Sequence, residues 1–167
     1  MASSRNDKRT YSPAALALTP SNATTGVWAS QLASNVYSFH KAAAATTSVV
    51  NISVPKTEDP GSEDNKIKSI AVQYKVSTAN LTSAPTAVLN KITYNADGTT
   101  TRAAVTQTLA FSGLNAVGTA IGDYWATVTI TTPAQLADNE DYVLALTMNE
   151  AATSVLDINA VQVDYTG

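Results

Sequence analysis

Apolar residues at every second position dominate the sequence after residue 26, and this pattern sets the strongest limit on what the chain can fold into. The clearest case is IAVQYKV at residues 70–76, in which the first, third, fifth and seventh residues are large and apolar. Successive side chains of a β-strand point to opposite faces of the sheet. The stretch therefore predicts a strand with one buried face and one solvated face.

The same alternation recurs along the chain and predicts an all-β fold. The other segments that carry it, or a weaker version of it, are residues 27–40, 47–54, 86–94, 101–111, 124–131, 141–149 and 154–165. About eight strands at this spacing are typical of an antiparallel β-sandwich, and we expect a jelly-roll-like arrangement, with an immunoglobulin-like sandwich as the second choice. No segment between strands is long enough for a crossover helix, which argues against a parallel α/β sheet.

Three local signals refine this prediction. Asp97-Gly98 supplies the positive φ that tight hairpin turns require, so it predicts a turn between two strands. The alternation in residues 154–165 changes phase after Ile158, which predicts a one-residue bulge near Asn159-Ala160. Residues 30–41 fit either a strand or one amphipathic helix, and their β-branched and aromatic residues favour the strand.

Residues 1–25 lack either periodicity, and we interpret them as an extended N-terminal arm that precedes a sandwich domain at residues 26–167. Ordering such a segment costs on the order of 1–2 kcal/mol per residue, so it stays mobile unless something holds it. We expect neighbouring polypeptides to hold the arm in place. The predicted protein-interface residues of the arm are Arg5, Lys8, Arg9 and Tyr11.

Trp125 is the first outward-facing residue of the strand YWATVTIT, whose other outward-facing residues are threonines. An exposed aromatic ring of this kind can stack on a sugar, lie under a loop or the arm, or contact another subunit. Contact with protein is favoured over contact with sugar, and Trp125 therefore joins the predicted protein-interface residues.

The sequence lacks the residues that most catalytic and metal-binding sites require. The 167 residues include no cysteine and a single histidine, His40, which we interpret as a surface residue without a special role. The acidic runs at residues 58–64 and 138–141 could bind Ca²⁺ or serve glycoside hydrolysis, but neither matches the EF-hand pattern, and solvated loops are the favoured interpretation. The sequence thus predicts no catalytic residue, no metal and no cofactor, and hence a protein that is not an enzyme.

Charge and hydropathy predict neither nucleic acid nor membrane as a partner. The net charge is -3, and basic and aromatic residues are not interleaved on any strand, as nucleic-acid binding would require. No apolar run approaches the roughly 18 residues of a membrane helix. The first twenty residues lack the apolar core of a signal peptide, so we expect synthesis in the cytoplasm.

A cysteine-free β-sandwich rich in Thr, Ala and Asn and preceded by an arm resembles the virion accessory proteins of tailed bacteriophages. These include capsid decoration (cement) proteins and small head-fibre or tail jelly-roll subunits. The resemblance lies in architecture and composition and implies a virion protein that forms homotrimers and binds the major capsid protein or other virion proteins. The alternative is a carbohydrate-binding or receptor-binding sandwich module of a phage fibre or tail, with Trp125 as the sugar platform.

Overall fold

The computed structural model describes residues 7–20, 28–33, 36–43, 47–56, 66–133, 135 and 137–166, and these form twelve strands and one short 3-10 helix. The 3-10 helix spans Pro13–Ala15. The strands are β1 (Asp7–Tyr11), β2 (Leu18–Pro20), β3 (Trp28–Ala33), β4 (Val36–Lys41), β5 (Thr47–Val54), β6 (Lys66–Ser77), β7 (Leu81–Tyr94), β8 (Thr100–Ala104), β9 (Gln107–Gly113), β10 (Gly122–Ile130), β11 (Glu140–Glu150) and β12 (Val155–Thr166). Within these residues, no helix has both the length and the apolar character needed to span a bilayer.

The strands form two antiparallel sheets with jelly-roll topology, which confirms the predicted fold class. Sheet A has the order β3-β4-β12-β6-β10-β9, with β1 paired to β12 as well. Sheet B has the order β2-β5-β11-β7-β8. Eight strands make the jelly roll itself, with β4-β12-β6-β10 in one sheet and β5-β11-β7-β8 in the other. Along these eight strands the chain changes sheet at every connection except that from β7 to β8, as in two Greek keys. The additional strands are β1, β2, β3 and β9.

The core consists of the alternate residues that the sequence pattern assigns to the buried face. In β6, the side chains of Ile70, Val72, Tyr74 and Val76 are all fully buried. Tyr74 stacks on Tyr124 of the neighbouring β10 with ring centroids 5.4 Å apart, and its hydroxyl donates to the Gly118 carbonyl at 2.8 Å. Each large apolar side chain buried in this way contributes about 1.5–3 kcal/mol.

The local predictions are confirmed at the turn and at the bulge. Gly98 has a φ of +83°, and the Asn95 amide donates to the Thr99 carbonyl across that turn at 2.9 Å. The register of β12 on β6 shifts between Ile158 and Ala160, where the phase change predicts a bulge. The described residues of the stretch 30–41 are extended, as favoured, but they belong to two strands, β3 and β4, that pair antiparallel as the arms of a hairpin. The segment 101–111 is also two strands, with β8 in sheet B and β9 in sheet A.

The described part of the predicted arm, residues 7–20, pairs with both sheets of its own chain. β1 lies antiparallel to β12, with Tyr11 opposite Val161, and β2 lies antiparallel to β5, with Leu18 opposite Ile52. Pro13, in the short helix between them, is buried. These residues close the side of the sandwich at the edges of β12 and β5. The division of the chain near residue 25 stays a prediction, because residues 21–27 lie outside the described part.

One ion pair is buried between the sheets. The Lys41 ammonium, at the end of β4, lies 3.4 Å from the Glu150 carboxylate at the end of β11, and neither side chain is exposed. Burial raises the pKa of Glu150, and the Ser48 hydroxyl and the Lys41 ammonium oppose this shift without cancelling it. Burying both charges removes their hydration, and this cost offsets much of the Coulomb attraction between them.

Removal of β1 is expected to destabilise the sandwich. Deletion of residues 1–11 leaves the edge of β12 without its partner and uncovers Tyr165, whose ring lies beneath the Arg9 guanidinium at 5.8 Å. We expect the free energy of unfolding to fall by about 2–3 kcal/mol, measured by chemical denaturation. Deletion of residues 1–6, which keeps β1, is the matched control. Equal stability of the two truncated proteins would contradict the role given to β1.

The buried pair predicts a strong difference between single and double substitution. Lys41→Met leaves a buried carboxylate without its cation and is expected to cost about 3–5 kcal/mol at neutral pH, whereas Lys41→Met with Glu150→Leu should cost far less. The folded protein holds the Glu150 proton to higher pH than the unfolded chain, whose ordinary pKa is 4.5. The stability of the wild type relative to the double variant should therefore fall as the pH rises above 4.5. Denaturant titrations from pH 4 to 8 measure both effects, and a pH-independent difference would contradict the second.

Candidate functional site

A groove of about 250 Å³ crosses the outer face of sheet A and contains Trp125. Five strands contribute to it, namely β1, β6, β9, β10 and β12. The residues that line it are Lys8, Ser69, Ala71, Ser112, Trp125, Thr127, Gln162 and Asp164. We call this feature the Trp125 groove.

The groove follows from the sizes of side chains that strand pairing brings together. Residues opposite each other in antiparallel strands share a face, and Trp125 lies opposite Ser112 on β9. In the next row, Thr127 lies opposite Ala71, and Ala71 lies opposite Gln162. Small side chains thus form the floor, while the indole stands on one side and longer polar side chains stand on the other.

The polar side of the groove is held by contacts with β1. The Gln162 amide donates to the Thr10 hydroxyl at 3.0 Å, which fixes the side chain at the rim. Lys8 lies opposite Asp164 in the register, and the Asp164 carboxylate is 3.9 Å from the Lys68 ammonium. At this end of the groove Asp164 thus forms an ion pair with Lys68, and Lys8 lies across from it on the neighbouring strand.

The structure brings together two of the predicted interface residues and separates the others. Lys8 and Trp125 line the same groove. Arg9 and Tyr11 lie on the opposite face of β1, where the Tyr11 hydroxyl is 3.5 Å from that of Tyr165, and Arg9 forms an ion pair with Asp7 at 2.8 Å. Arg5 lies outside the described residues. A role for these five residues in contact with other proteins stays a prediction.

His40 is engaged by an acidic partner on the outer face of sheet A. Its Nδ1 atom lies 2.8 Å from Asp157 Oδ1, and the Ser38 hydroxyl donates to the same oxygen at 3.1 Å. In a nucleophile–histidine–acid arrangement the hydroxyl would instead contact the imidazole. These three side chains therefore do not have the geometry that activates a serine.

Two acidic residues of the run at 138–141, Glu140 and Asp141, are paired with lysines. Glu140 accepts from the Lys91 ammonium at 2.6 Å, and this contact holds the pKa of Glu140 below its usual value. Asp141 lies 3.0 Å from the Lys56 ammonium. Within the described residues no cluster of three or more His, Cys, Asp or Glu side chains could hold a metal ion. The other acidic run, at residues 58–64, lies outside the described part.

An apolar row on the β3–β4 hairpin leads from the core to the surface. Trp28 is buried and stacks on Phe39 with ring centroids 5.1 Å apart. The next pair on the same face, Leu32 opposite Tyr37, is 56% and 48% exposed. β12 pairs with β4 only as far as Phe39, so this part of the hairpin extends beyond the pairing with β12. We call Leu32 and Tyr37 the hairpin pair.

The loop between β9 and β10 carries a second group of exposed aliphatic side chains on a well-fixed backbone. Leu114, Val117 and Ile121 are 65%, 53% and 49% exposed. The side chain of Asn115 accepts from the amide of Gly118 at 2.8 Å, and the carbonyl of Gly118 accepts from the hydroxyl of buried Tyr74. These side chains are therefore presented to solvent by a loop that is hydrogen-bonded to itself and to the core.

Sequence reasoning alone did not find the hairpin pair or most of the groove. Leu32 and Tyr37 would have stood out only if residues 30–41 had been divided into two strands, since the register then places both on the face of Trp28. The partners of Trp125 come from strands far apart in the sequence. No local signal indicates that Gln162 and Lys8 lie on the same face as Trp125.

No protein-family model and no curated protein sequence matches this chain. Among solved structures, it is similar to the enzymatically active domain of bacteriophage CBA120 tailspike protein 4, with a TM-score of 0.34 and 7% sequence identity. The match covers 94% of this chain and 19% of the tailspike chain. A likeness at this level does not establish a shared fold or a shared activity.

Proposed function

We propose that this chain is a structural virion protein of the capsid decoration type, without catalytic activity, that binds neighbouring shell proteins and forms a homotrimer. The proposal rests on the resemblance in architecture and composition to phage virion accessory proteins, and on exposed apolar surface that suits contact with protein. Its location would be the virion, after synthesis in the host cytoplasm.

The observation that carries the proposal is the hairpin pair. Leu32 and Tyr37 continue the inner row of sheet A, yet both are about half exposed. Apolar side chains that extend a core row without a cover are typical of surfaces that a partner protein buries. Tyrosine is also one of the residues that contribute most energy at such interfaces. Because each side chain is already about half buried, covering the remainder would contribute roughly half of the full burial value, or about 0.8–1.5 kcal/mol for each.

The loop between β9 and β10 supports the same function. Its exposed residues Leu114, Val117 and Ile121 stand on a backbone that is already fixed by hydrogen bonds. Binding through a pre-organised loop avoids the entropy cost of ordering it at the moment of association. The hairpin pair and this loop are two exposed apolar surfaces suited to protein neighbours.

The proposed role of the N-terminal arm is narrower than the sequence suggests. Residues 7–20 are paired with their own sheets, and Tyr11 packs against the core. In the proposal, these residues stabilise the sandwich, while the hairpin pair provides the main contact with neighbouring proteins. Arg5 and the exposed Lys8 remain proposed contacts of the arm.

Substitution of the hairpin pair tests the proposal. The Leu32→Ser/Tyr37→Ser double variant removes the exposed apolar surface, and we expect its attachment to particles assembled from the encoding genome to weaken by about 10–100-fold. Co-sedimentation of added protein with particles that lack it measures attachment. Light scattering after size-exclusion chromatography measures whether the wild type has three times the 17.4 kDa mass of one chain.

Tyr94→Ser is the matched control, because Tyr94 is 49% exposed and lies on sheet B, away from the hairpin. This variant should attach like the wild type. Wild-type protein that does not sediment with particles would contradict the function. Equal attachment of the double variant would contradict the role of the hairpin pair.

The alternative function, a carbohydrate-binding or receptor-binding module of a fibre or tail, requires a ligand site. Within the described surface, the Trp125 groove is the feature that favours it, because polar side chains surround an aromatic ring there. The two functions use different surfaces, so each can be tested without disturbing the other.

A further inference from the structure

We propose that the Trp125 groove is a binding site for a pyranose-containing glycan, as a function additional to attachment to neighbouring proteins. The inference comes from the aromatic side chain, the small floor and the polar rim of the groove. It does not depend on the hairpin pair or on virion membership.

The aromatic side of the groove has the character that a sugar ring requires. The axial C–H groups of a pyranose form an apolar face, which packs on an indole in the way that other apolar groups pack on an aromatic surface. Trp125 is partly exposed, and on this face it lies opposite the small Ser112 on β9 and opposite Gln73 on β6. Ala71 and Ser69 leave the floor open beside it. A ring can therefore approach the indole over the small side chains of the floor.

The rim supplies hydrogen-bonding groups for hydroxyls. Gln162 is oriented by its bond to Thr10 and retains its carbonyl oxygen as an acceptor. The Thr127 and Ser69 hydroxyls act as donors or acceptors on the floor. The Asp164 carboxylate accepts hydrogen bonds, and Lys8 donates them. Recognition of a saccharide needs this combination of one apolar face with several polar groups around it.

The size and charge of the groove favour a short saccharide over other ligand classes. Its volume of about 250 Å³ lies just below the range of roughly 300–1,000 Å³ that holds drug-sized ligands, which suits one or two sugar rings. A peptide would pair with the edge of a sheet, whereas this groove lies on a sheet face. Lys8 lines the groove, and the Asp164 carboxylate beside it lies 3.9 Å from the Lys68 ammonium, so Lys8 can pair with a uronate, and a glycan that carries one should bind more tightly than its neutral counterpart.

Calorimetric and fluorescence titrations with a neutral and a uronate-containing oligosaccharide test the inference. The protein has two tryptophans, and Trp28 is buried, so a ligand-dependent change in emission is expected from Trp125. We expect saturable binding of the uronate-containing ligand below ~10 mM and loss of its advantage over the neutral one in Lys8→Ala. A panel without any saturable response up to that concentration overturns the proposal.

Two variants locate the site. Trp125→Ala removes the aromatic surface and should weaken binding at least ~10-fold. Ala71→Leu fills the floor and should weaken binding while leaving Trp125 in place, which keeps the test valid if the first variant fails to fold. Unchanged affinity in Ala71→Leu and in any folded Trp125→Ala protein would overturn the assignment of the site.

The hairpin double variant serves as the reciprocal control. Leu32→Ser/Tyr37→Ser should retain glycan binding, and Ala71→Leu should retain attachment to particles. If the protein attaches to particles but binds no glycan, the proposed glycan site alone is wrong. If it binds glycan but does not attach, the proposed structural function alone is wrong.

Discussion

One edge of strand β12 is shared by two partners, and the placement of both candidate surfaces depends on this division. β4 pairs with β12 from Leu156 to Ile158, and β1 pairs with it from Val161 onward. The bulge between Ile158 and Ala160 separates the two regions. Backbone donors and acceptors along a strand edge need partners or water, so β1 continues the pairing where β4 leaves.

The division of this edge has one consequence on each face of sheet A. On the inner face, β12 pairs with Phe39 but not with the residues of β4 that precede it. The row that begins with buried Trp28 therefore ends in the exposed hairpin pair. On the outer face, β1 brings Lys8 alongside Asp164 and Thr10 alongside Gln162, which completes the rim of the Trp125 groove. Strand β1 therefore belongs to the sandwich in two respects, since it covers part of the β12 edge and supplies Lys8 to the groove.

How well the sequence predicts each feature of this structure depends on how far apart along the chain the interacting residues lie. Alternation at residues 70–76 and the phase change after Ile158 are local, so both the buried rows and the bulge were predicted correctly. The pairing of β1 with β12 joins residues 150 to 158 positions apart, and no local pattern in Asp7–Tyr11 indicates it. The groove needs four strand pairings, β1 with β12, β12 with β6, β6 with β10 and β10 with β9, so sequence reasoning recognised Trp125 but not its neighbours.

The two surfaces differ in how strongly they depend on the arm. The hairpin pair belongs to β3 and β4. Its exposure requires only that β12 pairs with β4 from Phe39 to Lys41 and not with the residues that precede Phe39. The groove loses Lys8, and Gln162 loses its bond to Thr10, whenever β1 detaches. Local opening of an edge strand costs less than global unfolding, because only a few contacts break. Displacement of β1 would therefore weaken the proposed glycan binding while leaving the apolar hairpin unchanged, so the two surfaces can act independently.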